Sequence, residues 1–139
     1  MAITATHYCF LRAIKDQLPQ GGSLLEIGQA NWFGDVVADV ILEDDPEADI
    51  SGSLFDIAKA AQKAIFSPSR TVSIDLMGGP EAIPHNLNLP LDLGEQFELV
   101  INNGTAEHIF NIGQVFRTMH DHCLVGGVML HESPWTGWR

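Results

Sequence analysis

Glu107-His108 sets a carboxylate beside an imidazole, the two side-chain types that most often move protons near neutral pH. Both fall in the first turn of a predicted helix. There the helix dipole favours Glu107 whatever the function, and capping or packing competes with proton transfer for His108. His120, Asp121, His122 and Cys123, with His131 farther on, have the residue types of a metal site. Their spacing argues against one. His108 and His120 stand twelve residues apart on the same predicted helix, roughly 18 Å at about 1.5 Å per residue. His120 and His122 point about 200° apart around that helix, and His131 is expected at the other end of the sheet. No metal is expected.

These residues need a scaffold, and the hydrophobic pattern supplies one. Phe10, Leu11, Ile14 and Leu18 recur at helical spacing over residues 6–18, which end at Pro19-Gln20-Gly21-Gly22. Ser23 to Gly28 reads as a short buried strand. Val36, Val37, Val40 and Ile41 predict a helix starting near Gly34. A second helix follows, with Ser53 as its cap, Asp56 at the capping-box position, and Leu54, Ile57, Ala61 and Ile65 as its stripe. Thr71 to Asp75 is a β-rich strand ending in an acid; residues 83–89 make a short, weak strand; Phe97 to Asn103 makes a clear one. Thr105 is placed to cap a helix with the stripe Ile109, Ile112, Phe116, Met119. Gly126-Gly127 closes the next connection, and Val128 to Leu130 is the last strand.

Alternating strands and helices imply a parallel sheet with right-handed crossovers. Ligands in such sheets bind outside the carboxyl ends of the strands, where the strand order reverses. That rule gathers residues 28–34, 75–79, 86–89, 102–108 and 131–133 at one end. His7 and Tyr8, on the first helix, are candidates to cap the same cleft, against simple packing.

Composition bounds the partners. The chain has 139 residues, enough for one core. With 18 acidic against 7 basic residues its net charge is −11, and no Lys/Arg cluster offsets that charge, so nucleic acid is not an expected partner. The acidic run Glu43, Asp44, Asp45, Glu47, Asp49 lacks the ligand spacing and glycine of a calcium loop and reads as a solvated loop. No apolar run reaches the roughly 18 to 20 residues of a membrane span. Two cysteines are too few for a disulfide framework, which makes a reduced, cytoplasmic setting the expectation.

Leu24-Leu25-Glu26-Ile27-Gly28-Gln29-Ala30 resembles the first motif of class I S-adenosylmethionine (SAM)-dependent methyltransferases, an acid-x-Gly-x-Gly signature after the first strand. Ser73-Ile74-Asp75 is similar to their second-strand acid, and Phe97-Glu98-Leu99-Val100 to their fourth strand. Glu107-His108 matches a pair frequent in small-molecule members, and Leu124-Val125-Gly126-Gly127 resembles the turn before their fifth strand. The ordered set spans residues 23–133. Ala30 and Trp32 stand where the pattern has its second and third glycines, so the loop must curve differently. About 47 residues separate Gly28 from Asp75, with an extra helix between them.

The resemblance implies a Rossmann-like, doubly wound α/β domain with a mostly parallel sheet of about five strands, lacking the usual last two. It divides the chain into an N-terminal helix (1–22), a nucleotide-binding core (23–133) and an aromatic tail (134–139). SAM is the implied cofactor. Glu26, Gly28, Gln29 and Ala30 would lie by its amino-acid part, and Asp75 and Leu76 by the ribose. Asn88 and Leu89 would border adenine, with Asn102 and Asn103 under the sulfonium. Glu107 and His108 become the candidate catalytic pair for a small-molecule acceptor. Trp135 and Trp138, with the early stop, imply either a homo-oligomer or a missing C-terminal segment. A non-catalytic, truncated SAM-binding or oligomer-forming relative is the alternative. A nicotinamide-dependent dehydrogenase fits less well, because the G-x-G-x-x-G fingerprint is absent and Asp75 lies far beyond the usual spacing of about 20 residues.

Overall fold

A computed structural model describes residues 2–34 and 38–133. It is an α/β fold with two parallel sheets. The larger has four strands: β2 (Ser23–Ile27), β4 (Arg70–Ile74), β5 (Phe97–Asn103) and β6 (Cys123–Glu132), in the order β4-β2-β5-β6. The smaller pairs β1 (Ala2–Ile3) with β3 (Asn31–Trp32). Among the described residues four α-helices accompany the sheets: α1 (Ala5–Ala13), α2 (Asp39–Leu42), α3 (Leu54–Phe66) and α4 (Ile112–Asp121). None among the described residues is long and apolar enough to cross a membrane.

Strand parity decides which side chain meets which helix, because successive residues of a strand face opposite sides of the sheet. Leu24, Leu99 and Ile101 face one side and pack with Tyr8 and Leu11 of α1 and Ala58, Ala61 and Ile65 of α3. Leu25, Ile27, Ile74 and Val100 face the other side and pack with Val115 and Met119 of α4. Both faces of β2 are therefore covered. That is why its sequence reads as a continuous apolar run instead of an alternating one.

Local signals account for the helices. Ser53 accepts from the Asp56 amide, and the Asp56 carboxylate accepts from the Ser53 amide, forming the expected capping box of α3. The first helix is shorter than its periodicity predicts: α1 ends at Ala13 and a 3-10 turn, Lys15–Gln17, carries the chain to buried Leu18. Phe10 of the expected stripe is exposed, and Tyr8 takes the core position instead. For the last helix the expectation needs correcting. Thr105 precedes a 3-10 turn (Ala106–His108), and α4 is capped by the Asn111 side chain accepting from the Gln114 amide. That offset rotates the buried face to Gln114, Val115, Thr118 and Met119, leaving Ile112 and Phe116 exposed.

Two strand expectations also change. Over residues 83–89 a single bridge forms, Ile74 with Ile83, and residues beyond it turn. Gly126-Gly127 lies inside β6, where Phe97 pairs with Cys123 but Leu99 pairs with Val128. The extra residues form a bulge that Gly126, at φ 86°, accommodates. Val36 and Val37, and the aromatic tail 134–139, lie outside the described residues.

The acidic loop is tied down more firmly than a solvated loop would be. Asp44 accepts from the Tyr8 hydroxyl at 2.7 Å, Arg12 reaches Glu43 at 2.7 Å, and Lys63 approaches Asp45 at 3.4 Å. Burial, then the Asp44 bond and charge, push the Tyr8 phenol well above its ordinary value. Tyr8 therefore anchors α1 to the loop, and its hydroxyl does not face the cleft.

Candidate functional site

The carboxyl ends of β2, β4, β5 and β6 meet at one end of the sheet, as parallel pairing requires. β2 runs into Gly28, whose φ of 86° turns the chain sharply. The Gly28 amide is held by the Ile74 carbonyl at 2.7 Å. The turn presses on Thr105, so closely that a Cβ at position 28 would stand 2.1 Å from Thr105 Oγ1. That hydroxyl is buried and has no hydrogen-bond partner among the described residues.

Asp75 braces the same turn from β4. Its carboxylate accepts from the Gln29 amide at 2.9 Å and from the Met77 amide at 2.8 Å. The Gln29 side chain is buried and accepts from the Gly79 amide, closing the loop after β4 over the loop after β2. Leu76 points out and is exposed. Ala30 is buried in the α1–α3 core, so it offers only its backbone.

Glu26 does not open on this cleft. Parity turns it toward α3, where it is 3% exposed and accepts from Gln62 Nε2, Ser73 Oγ and the Ala30 amide. Burial pushes its carboxyl above the usual glutamate range, and those three donors pull it partly back. A carboxyl whose folded pKa is raised stabilises the fold in acid and loses that contribution as pH rises through the folded pKa. Relative to Glu26→Gln, the wild-type chain should therefore be most stable in acid and lose its advantage on the alkaline side. Melting temperatures of both proteins between about pH 4 and pH 8 test this; a constant difference would mean an unshifted carboxyl.

At the end of β5 parity separates two neighbours. Asn102 pairs in register with His131 on the α4 side, and Asn103 with Glu132 on the α1 side. Asn102 Oδ1 accepts from the Ala106 amide at 2.9 Å, so its Nδ2 faces His131 Nδ1 at 2.9 Å and the Glu132 carbonyl at 3.3 Å. His131 Nδ1 must then accept, and the ring's Nε2–H donates to Ser133 Oγ at 3.2 Å. Ser133 Oγ in turn donates to Glu107 Oε2 at 3.4 Å. A polar line thus runs from Glu107 to the buried Asn102.

A parallel line starts at Asn103. Its Nδ2 donates to the Ala2 carbonyl at 2.9 Å and lies 2.6 Å from His7 Nδ1. A carbonyl only accepts, which fixes the amide orientation and makes His7 Nδ1 an acceptor, leaving the proton of the neutral ring on Nε2. Nε2 is 2.7 Å from Glu132 Oε2, close in distance but without hydrogen-bond alignment.

His7, Phe33, Asn103, Glu107, His108 and Glu132 border a cavity of about 360 Å³, within the range of small-molecule sites. A larger hollow of about 610 Å³ lies at the opposite end of the sheet, beside Asp92, Glu95 and His122. It has the volume but not the chemistry. Both His122 nitrogens are already engaged, with the Thr118 carbonyl at 2.7 Å and the Leu93 amide at 3.1 Å, and ligands of parallel sheets bind at the carboxyl ends.

The structure therefore brings Gly28, Gln29, Asp75, Asn102, Asn103, Glu107 and His108 to one end, with Thr105 joining the Gly28 and Glu107 halves. Asn88 and Leu89 stand apart in a turn fastened to α4: Asn88 Oδ1 accepts from the Asn111 amide at 2.9 Å, and Leu89 is exposed. Sequence reasoning underrated His7, Thr105, Glu132 and Ser133. For Glu132 a signal existed, since it ends the last strand at the carboxyl edge of the sheet; His7, a candidate to cap the cleft, sits on a helix whose apolar stripe excludes it. Among the described residues no group of three or more His, Cys, Asp or Glu is arranged to hold a metal ion.

No family model, curated protein or solved structure matches the chain.

Proposed function

We propose that this chain is a doubly wound, Rossmann-like SAM-binding domain that methylates a small molecule. The observation that carries the reading is the Gly28 turn braced by the Asp75 carboxylate across two neighbouring parallel strands. Helix-borne cores on both sheet faces support the doubly wound topology, and the Ile74–Ile83 bridge is one short pairing at the outer edge of β4.

The residues present suit the cofactor. Asp75 has lone pairs beyond those on Gln29 and Met77 with which to accept ribose hydroxyls. The buried, unpartnered Thr105 hydroxyl at the glycine turn is a donor for a carboxylate. Glu107 and Glu132 give the cavity negative charge beside a cationic sulfonium. When bound, SAM supplies an activated methyl group. The chain's own part is to align the acceptor and exclude water, with Glu107 and His108 at the cavity for an acceptor that must lose a proton. Glu26, Gln29 and Ala30 act on this reading by shaping the turn. Half-exposed β6, with Leu124, Val125 and Met129 outward, supports association with a second copy or with further chain. The two free cysteines suit a reducing, cytoplasmic setting.

Calorimetric titration of the purified chain with SAM and S-adenosylhomocysteine tests the reading. One-site binding is expected, weakened on the order of 100-fold or more in Asp75→Ala, about 3 kcal/mol for charge-assisted hydrogen bonds. A folded protein that binds neither compound would overturn it.

A further inference from the structure

We infer that the cavity between α1 and the ends of β5 and β6 binds a small molecule through a hydroxyl group, held between His7 Nε2 and the Glu132 carboxylate. The argument begins with the two asparagines. Because Asn103 Nδ2 is committed to the Ala2 carbonyl, His7 Nδ1 accepts and Nε2 carries the hydrogen. His7 is 8% exposed, so that Nε2–H is a buried donor. Its nearest oxygen, Glu132 Oε2 at 2.7 Å, is off the line a hydrogen bond needs. A buried donor without an aligned acceptor is costly, and the cavity that His7 lines gives an acceptor a way to reach it.

Glu132 supplies the other half. Its side chain is half exposed, so the carboxylate can turn from its cover over Nε2 and remain beside it. The pair then offers one donor and one acceptor on the same side of the cavity, with room between them for one oxygen atom. An alcohol or phenol oxygen matches both, accepting from Nε2–H while donating its proton to the carboxylate. A carboxylate or phosphate ligand would meet Glu132 and Glu107 with no Lys or Arg among the described residues that line the cavity. An ammonium group would satisfy Glu132 but present only further donors to Nε2–H. Phe33, exposed at the rim, gives the ligand's carbon skeleton an apolar surface.

This deepens the proposed function and rests on it in one respect: the bound molecule is then the methyl acceptor, with oxygen as its reacting atom and Glu132 positioned to hold the hydroxyl proton. The hydroxyl site itself rests on the cavity alone.

The probes are phenol and its methyl ether, anisole, titrated into the histidine-labelled chain and followed by ¹H–¹⁵N spectra of the imidazoles. Phenol should shift the His7 ring signals and bind about tenfold or more tighter than anisole, a modest share of what fully enclosed hydroxyl sites achieve. Glu132→Ala, at a half-exposed position, should bring the two affinities together without changing the melting temperature. His7→Phe should do the same if it folds, and Glu132→Ala decides the matter if it does not. Equal affinities in the wild-type chain, or shifts confined to His120 and His122, would overturn the site. Repeating the titration with SAM present separates the two readings. Phenol selectivity in a chain that never binds SAM sinks the methyltransferase and leaves the hydroxyl site standing; SAM binding without selectivity does the reverse.

Discussion

Gly28→Ala lowers the stability of this fold by about 2–5 kcal/mol and, if the proposed function holds, removes SAM binding with it. Two costs combine. An L-residue at a positive φ pays roughly 1–2 kcal/mol, and position 28 sits at φ 86°. The new methyl group would also stand 2.1 Å from Thr105 Oγ1 and 2.9 Å from Thr105 Cβ, so something must move. The neighbour cannot move cheaply, because Thr105 leads into buried Ala106, whose amide is fixed to Asn102. Forcing extra volume into such a place costs about 1–3 kcal/mol. Urea unfolding of Gly28→Ala, Thr105→Gly and the double variant separates the terms. In the double variant the overlap disappears and only the backbone cost should remain. A single variant within about 0.5 kcal/mol of wild type would mean that the chain does not turn at Gly28 as described.

Asn102→Ala should cost about 2–4 kcal/mol, because it strips several buried groups at once. The Ala106 amide loses its acceptor, and His131 Nδ1 and the Glu132 carbonyl lose a donor. Ser133 and Glu107 remain linked to His131 on β6 but no longer, through it, to the end of β5. The functional consequence follows from that detachment: Glu107 keeps its chemistry and loses its fixed position. Chemical denaturation measures the first effect. The second appears as broadened or shifted resonances of Glu107 and Ser133 relative to wild type, while α3 at the far side keeps its spectrum. Unchanged stability would place the Asn102 amide elsewhere than between the 3-10 turn Ala106–His108 and β6.

The strands and α3 were the most legible parts of the chain. Leu24 to Ile27 and Leu99 to Ile101 are apolar without alternation, which specifies strands buried on both faces. Ser53 and Asp56 define a capping box at sequence level, because both partners lie within one turn. Less legible was the stretch after β5. Thr105 and Asn111 are both good caps, and the helix takes the later one, since the 3-10 turn between them lets Ala106 reach Asn102. A stripe read from the wrong starting point then lands on Ile112 and Phe116, one step around the helix from the face that is buried.

The candidate site divides along the same line. The end of the sheet that holds it was legible, because parallel strands put their carboxyl ends together and the polar residues of this chain gather there. Roles were not. Glu26 reads in sequence as part of a glycine motif, yet parity alone assigns it to the α3 side, where Gln62 and Ser73 close over it. Asn102 and Asn103 are adjacent in the chain and belong to different polar lines for the same reason.

What the sequence determined by itself is therefore the class of fold, the positions along the chain of the four strands of the larger sheet, and the edge at which Gly28, Asp75 and Glu107 assemble. Those properties follow from periodicity and short-range capping, whose partners are a few residues apart. What only the tertiary structure decided is the company each polar group keeps: Thr105 against Gly28, Tyr8 with Asp44, His7 with Asn103 and Glu132. These contacts join distant parts of the chain across sheet faces. Their geometry depends on register and parity, which exist only after the strands have paired.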